Sequence, residues 1–157
     1  MPKDAAMSAP AQSDALAFGG LDRILGFRLR MAHTAMYRDF SAALADLGLT
    51  QKQCATLWLI DANAGASQAA LANTLSMDRA TMMAIIDRLE EGGLVVRKRS
   101  LADRRRQELY LTPAGQKALS KAKTAIAKHE RRFTTRLTPQ ELDVLLSALS
   151  KLAADAD

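Results

Sequence analysis

Residues 67–111, SQAALANTLSMDRATMMAIIDRLEEGGLVVRKRSLADRRRQELYL, constrain the fold more than any other stretch. Two short helices come first. Ser67 is placed to cap the first, which buries Leu71 and Leu75 and ends near Thr74. Ser76 or Asp78 caps the second, and the sequence leaves both open. The inner stripe of that second helix is Met82, Ile85, Ile86 and Leu89, at helical spacing. Gly92-Gly93 stops it, as glycine does at helix ends. LVVRKR and QELYLT then have strand composition, and residues 100–105 separate them, which makes a β-hairpin with a basic tip. A helix-turn-helix followed by a hairpin is a winged helix-turn-helix. The second helix of such a pair enters the major groove, which is wide enough for it. The hairpin reaches the backbone or the neighbouring minor groove, whose negative potential suits arginine.

Charge points the same way. Residues 97–106 carry six basic side chains against one acid, Asp103, an excess that equals the formal net charge of the whole chain, +5. The rest of the chain is neutral on balance, so a polyanionic partner meets this one segment.

Long helices flank the winged unit. Between Leu21 and Leu47 there is no proline and one glycine, Gly26. Apolar residues recur there three and four apart, which predicts one amphipathic helix of about 40 Å. That is as long as a small domain is wide, so part of it packs against something other than its own chain. Thr50 and Gln53 form a capping box for a second, nearly all-round apolar helix that is expected to be central and buried. After the hairpin, Thr112-Pro113 opens a helix whose stripe is Leu119, Ala122, Ile126, His129 and Phe133. Thr138, Pro139 and Glu141 open the last one, whose apolar face is Leu142, Leu145, Leu146, Leu149 and Leu152.

At 157 residues and 48% apolar, the chain suits one domain with a real core. A single cysteine and two histidines cannot build an intramolecular disulfide or a Cys/His metal cluster. No apolar run approaches a membrane span. No cofactor is called for, and no nucleophile–base set or phosphate loop points to an enzyme. The expectation is a cytoplasmic protein with no membrane partner and a flexible arm over residues 1–17.

The segment LANTLSMDRATMMAIIDRLEEGGLVVRKRSLADRRRQELYLTPAG resembles the MarR family of transcriptional regulators, above all RLEEGGLVVR leading into DRR and LTPAG. Helix order matches from about Leu21 to Leu152. The resemblance implies a mainly α fold, a winged helix-turn-helix with a two-stranded β-hairpin wing and long terminal dimerisation helices. Residues 18–157 would form a single MarR-like domain, with 18–48 and 113–157 as dimerisation helices and 49–112 as the DNA-binding unit. It implies an obligate homodimer on pseudo-palindromic double-stranded DNA, with half-sites about one helical turn apart. It also implies a small-molecule effector: an aromatic acid, a phenol or a coenzyme A thioester.

Candidate DNA contacts on the recognition helix are Arg79, Ala80, Thr81, Met83, Ala84 and Arg88, and on the wing Arg97, Lys98, Arg99, Asp103, Arg104, Arg105 and Arg106. Asp103 and Arg105 match the family's Asp-x-Arg pattern, which implies that Arg105 enters the minor groove and that the aspartate orients it or a neighbouring arginine. Many relatives have a polar pair where this chain has Met83-Ala84, which offer only apolar contact, for example to thymine methyls. For an anionic effector the nominee is Arg28, on the apolar stripe of the first helix, where an unpaired charge is expensive. Its alternatives are to snorkel to solvent or to pair with an acid such as Glu130 or Asp143. Arg30 points to the opposite face. His33 and Tyr37, one turn apart, line a pocket or face a partner chain. Trp58 and His129 are read first as core and structural residues and second as ligand contacts. Cys54 can staple to Leu49 or act as a peroxide-sensing thiol. Two other functions compete: a thiol-based redox repressor and an RNA-binding winged helix. A dimer with recognition helices about 34 Å apart fits palindromic duplex DNA and not an A-form helix.

Overall fold

The computed structural model describes residues 16–101, 103 and 105–154; most of the expected N-terminal arm therefore lies outside the described residues, as does Arg104. These residues form helices α1 (Leu25–Leu44), α2 (Gln51–Ala62), α3 (Gln68–Thr74) and α4 (Arg79–Glu91). Strands β1 (Val95–Arg99) and β2 (Gln107–Leu111) follow, then α5 (Pro113–Thr134) and α6 (Pro139–Ala153). Contacts divide the chain into two compact units, Met1–Thr34 and Ala35–Asp157.

In the first unit the expected single helix is interrupted. A 3₁₀ turn covers Leu21–Arg23, and Ile24 is extended, with φ −83° and ψ 119°. The cause is local. In a continuous helix the Asp22 carbonyl would accept the Gly26 N–H. Here it accepts Arg28 Nε instead, at 2.6 Å. α1 is thus 20 residues, about 30 Å, and a further 3₁₀ turn, Ala45–Leu47, follows it.

The second unit is built on well-capped helices. Thr50 and Gln53 close a capping box on α2, and Thr138 and Glu141 close one on α6. Ser67 caps α3, and Thr112 caps α5 with Pro113 in its first turn. The hairpin is antiparallel, in register from Val95↔Leu111 to Arg99↔Gln107. Ala66 adds a bridge to Leu109. Under the hairpin, Leu57 and Ile60 of α2, Leu71 of α3 and the α4 stripe pack with Val95, Leu109 and Leu119. Each fully buried side chain of this size stabilises by about 1.5–3 kcal/mol. A second cluster joins Leu44, Cys54 and Ala122, with Leu49 packed against it as the staple requires.

α2 is central, yet not buried all round: Trp58, expected in the core, is 41% exposed. It lies on the side of α2 away from Leu57 and Ile60, where the Lys123 ammonium covers its ring at 4.8 Å. α6 has no buried residue; Val144, Leu145, Leu146, Leu149 and Leu152 are all exposed. Among the described residues, no helix is long and apolar enough to cross a membrane, and no group of His, Cys, Asp or Glu side chains could hold a metal ion.

Candidate nucleic-acid interface

The turn before α4 settles which residue caps it. The Asp78 carboxylate accepts the Thr81 N–H at 2.8 Å and the Thr81 hydroxyl at 2.6 Å. These bonds from Thr81 hold the Asp78 carboxyl below its ordinary pKa. Ser76 instead takes the left-handed position after α3, with φ 49°. The Met77 N–H returns to the Ala72 carbonyl at 2.9 Å, the six-to-one bond of a Schellman motif. α4 ends in the same way. Gly93 has φ +67°, and the Leu94 N–H reaches the Leu89 carbonyl at 2.8 Å. Each end therefore fixes the angle at which the next element leaves.

With Met82, Ile85, Ile86 and Leu89 buried, the opposite face of α4 centres on Ala80, Ala84, Asp87 and Glu91. Arg79 and Met83 lie on the flank toward β1. Thr81 and Arg88 lie on the other flank.

The hairpin divides its basic residues between two jobs. Arg97 shares the inward face with Val95, and its guanidinium pairs with Asp87 and Glu90 of α4. Its backbone N–H also donates to Glu90 Oε1 at 3.1 Å, and its side chain is only 19% exposed. Burial alone would lower the pKa of Arg97, but the two carboxylates outweigh it and hold the group above the ordinary arginine value. Arg97, nominated as a DNA contact, thus clamps the hairpin to α4. Lys98 lies over the Tyr110 ring at 5.0 Å, opposite Glu108 in the register. Hydrogen bonds from Ser100 and Tyr110 lower the Glu108 pKa, and Glu108 in turn raises that of Tyr110. Arg99, Arg105 and Arg106 are exposed. Asp103 shapes the tip: its carboxylate accepts the Arg105 N–H at 3.0 Å and its carbonyl accepts the Arg106 N–H at 2.9 Å. The aspartate thus fixes the backbone at Arg105 and Arg106.

The cap of α5 supports the hairpin from below. The Thr112 hydroxyl donates to the Gly93 carbonyl at 2.6 Å and accepts the Gly115 N–H at 3.0 Å. A Cβ on Gly115 would lie 2.0 Å from the Leu94 carbonyl oxygen, so only glycine permits this approach.

Beside α4 lies a cleft of about 420 Å³ lined by Tyr37 of α1, Thr50–Gln53 at the start of α2, and Thr81, Ala84, Ile85 and Arg88 of α4. The sequence nominated Tyr37 for a ligand and Arg88 for DNA; the fold brings both to one cavity. Lys52 and the α2 terminus were not anticipated, because nothing in TQKQ marks more than a cap. The other ligand nominees lie elsewhere. Arg28, 64% exposed, pairs with the Asp22 carboxylate at 3.7 Å rather than with Glu130 or Asp143. Arg30 and His33 are exposed on α1. His129 is 3% exposed between Phe40 and Phe133. Its Nδ1 lies 2.7 Å from Asp39 Oδ2, and Arg132 holds the other Asp39 oxygen at 2.6 Å, so it ties α1 to α5. Cys54 is buried, and burial pushes its pKa up to about 11. A thiol protonated at neutral pH is a poor nucleophile.

Known proteins share this arrangement. The MarR family model matches residues 47–106, from the end of the 3₁₀ turn after α1 to the hairpin tip just before β2. A candidate transcriptional regulatory protein for the hcr operon of Thauera aromatica is 36% identical over 146 residues, covering 91% of this chain and 88% of that protein. The transcriptional repressor CouR bound to a 23-mer DNA duplex superposes with a TM-score of 0.84 at 40% identity, over 89% of this chain and 99% of that one. CouR bound to p-coumaroyl-CoA superposes with a TM-score of 0.80 at 37% identity, over 90% and 99%. A capped recognition helix, an arginine-tipped wing and likeness along nearly the whole length of these regulators lead to one conclusion: the chain belongs to the MarR family of DNA-binding transcriptional regulators.

Proposed function

We propose that the protein is a cytoplasmic homodimeric repressor of a pseudo-palindromic operator, released when a small anionic aromatic ligand enters the cleft beside α4. The carrying observation is that Thr81, Ala84 and Arg88 belong at once to the recognition helix and to the cleft wall. A ligand seated there touches the element that reads DNA. Tyr37 offers an aromatic wall, and Lys52, Arg88 and the positive end of the α2 dipole favour a carboxylate or phosphate. CouR, 37% identical, is a repressor that binds p-coumaroyl-CoA, which favours an aromatic acid, phenol or coenzyme A thioester here. The buried Cys54 favours this reading over thiol sensing.

Dimerisation is supported by the uncovered apolar face of α6 and by the exposed Leu21, Ile24, Leu25 and Leu29 of the first unit. Residues 18–48 and 113–157 would supply the dimer contacts and residues 49–112 the DNA-binding unit. To cut operator occupancy substantially, the ligand must prefer the released state by roughly 10²-fold, near 3 kcal/mol.

The test is titration of the protein–operator complex with aromatic acids and their coenzyme A thioesters. At least one should release the duplex, and Arg88→Gln should raise the concentration needed at least tenfold. Release by none of them, or release unaffected by Arg88→Gln, would remove the cleft from the mechanism.

A further inference from the structure

In a helix-turn-helix the first residues of the recognition helix meet the base edges. Here those are Arg79 to Ala84, and the structure accounts for their hydrogen-bonding groups. The Thr81 hydroxyl is engaged with Asp78 at 2.6 Å. Farther along, Asp87 and Glu90 are taken by Arg97. Arg88 turns to the cleft. What remains at the front of the outward face is Arg79 at its edge and Ala80, Met83 and Ala84 across it, with Met83 50% exposed. Those three side chains carry no nitrogen or oxygen. The two alanines also let the helix backbone come close to the groove floor.

The apolar group on that floor is the C5-methyl of thymine. We infer that this regulator recognises its operator largely through thymine methyls packed against Ala80, Met83 and Ala84, with Arg79 the lone side chain there able to donate to a base. This rests on α4 as the helix in the groove. Each half-site should therefore place thymines, rather than a run of guanines, under the first two turns of α4. Thymine and uracil pair identically and differ only by the methyl, so the contribution can be isolated.

The protein is used to select operators from a pool of random duplexes, and each thymine of the selected site is then replaced by uracil. Burying one methyl-sized group is worth about fourfold in affinity, so symmetric replacement in both half-sites should weaken binding about fifteenfold at the contacted positions. Outside the half-sites uracil should have no effect. In turn, Met83→Ala, Ala80→Ser and Ala84→Ser, all at exposed sites, should each abolish the thymine preference at their own position. A selected operator whose affinity changes less than twofold at every uracil overturns the inference and leaves DNA binding standing. Uracil sensitivity unchanged in all three variants overturns it as well. Failure to select any duplex overturns the groove reading of α4 and this inference with it.

Discussion

Helix α4 buries Met82, Ile85, Ile86 and Leu89 against α2, α3 and β1 of its own chain, whereas α6, with a more strongly apolar stripe, buries none of its residues. Both helices have strong N-caps and leucine-rich or isoleucine-rich faces. They differ in what lies opposite. An amphipathic stripe reports that a face needs cover and is silent on which chain supplies it. In α4 the cover is intramolecular; in α6 a second copy of the chain is the proposed cover.

The sharpest way to break this comparison is to truncate both stripes. Ile86→Ala should cost about 2–5 kcal/mol, whatever the protein concentration. Leu149→Ala should cost less, and its cost should vary with concentration, because association adds to stability by mass action. Denaturant unfolding at two protein concentrations tenfold apart reads both. An equal, concentration-independent loss at Leu149 would mean that α6 is not covered by a second copy.

A second substitution pair contrasts tight and open backbone. Gly115→Ala forces a methyl onto the Leu94 carbonyl and should cost about 1–3 kcal/mol or more, with loosened protection of the hairpin amides. Gly26→Ala in α1, with nothing within 4 Å of the added methyl, should instead gain about 0.5–1 kcal/mol. A tolerated Gly115→Ala would show that α5 can slide away from the hairpin, and so that the winged unit is less tightly closed than α4 suggests.

An effect as small as that of Gly26→Ala is expected at Ser76, the sole non-glycine residue with positive φ among those described. Ser76→Gly should stabilise by about 0.5–1 kcal/mol, since the turn between α3 and α4 demands a conformation that serine adopts at a cost. Unchanged thermal stability would show that the turn's hydrogen bonds already offset it.

These regions also differ in how far the sequence discloses them. Thr50, Ser67, Thr112 and Thr138 are legible as caps because a cap and its partner lie three residues apart. The α4 stripe and the hairpin follow from spacing in the same way. Asp78 wins the α4 cap over Ser76 only because Ser76 is used by the preceding turn, which pattern alone does not reveal. The acids that take Arg97 lie 7 and 10 residues upstream, across the glycine turn, so a basic run that looks uniform conceals one committed member. Trp58 defeats composition because its neighbour Lys123 is 65 positions away. Arg28 interrupts its own helix by reaching back to Asp22, an outcome that a helical wheel cannot represent.

The Arg97 clamp has a mechanical consequence. It fastens the hairpin to α4 at mid-strand, while Gly93 and Leu94 already join the two in sequence. In the proposed DNA complex, with α4 in one groove and the wing at the next, the two would then be held as a single body. On that proposal, a ligand that tilted α4 would swing the arginines of the wing in the same stroke, and a displacement too small to expel the helix from its groove would be magnified at the hairpin tip.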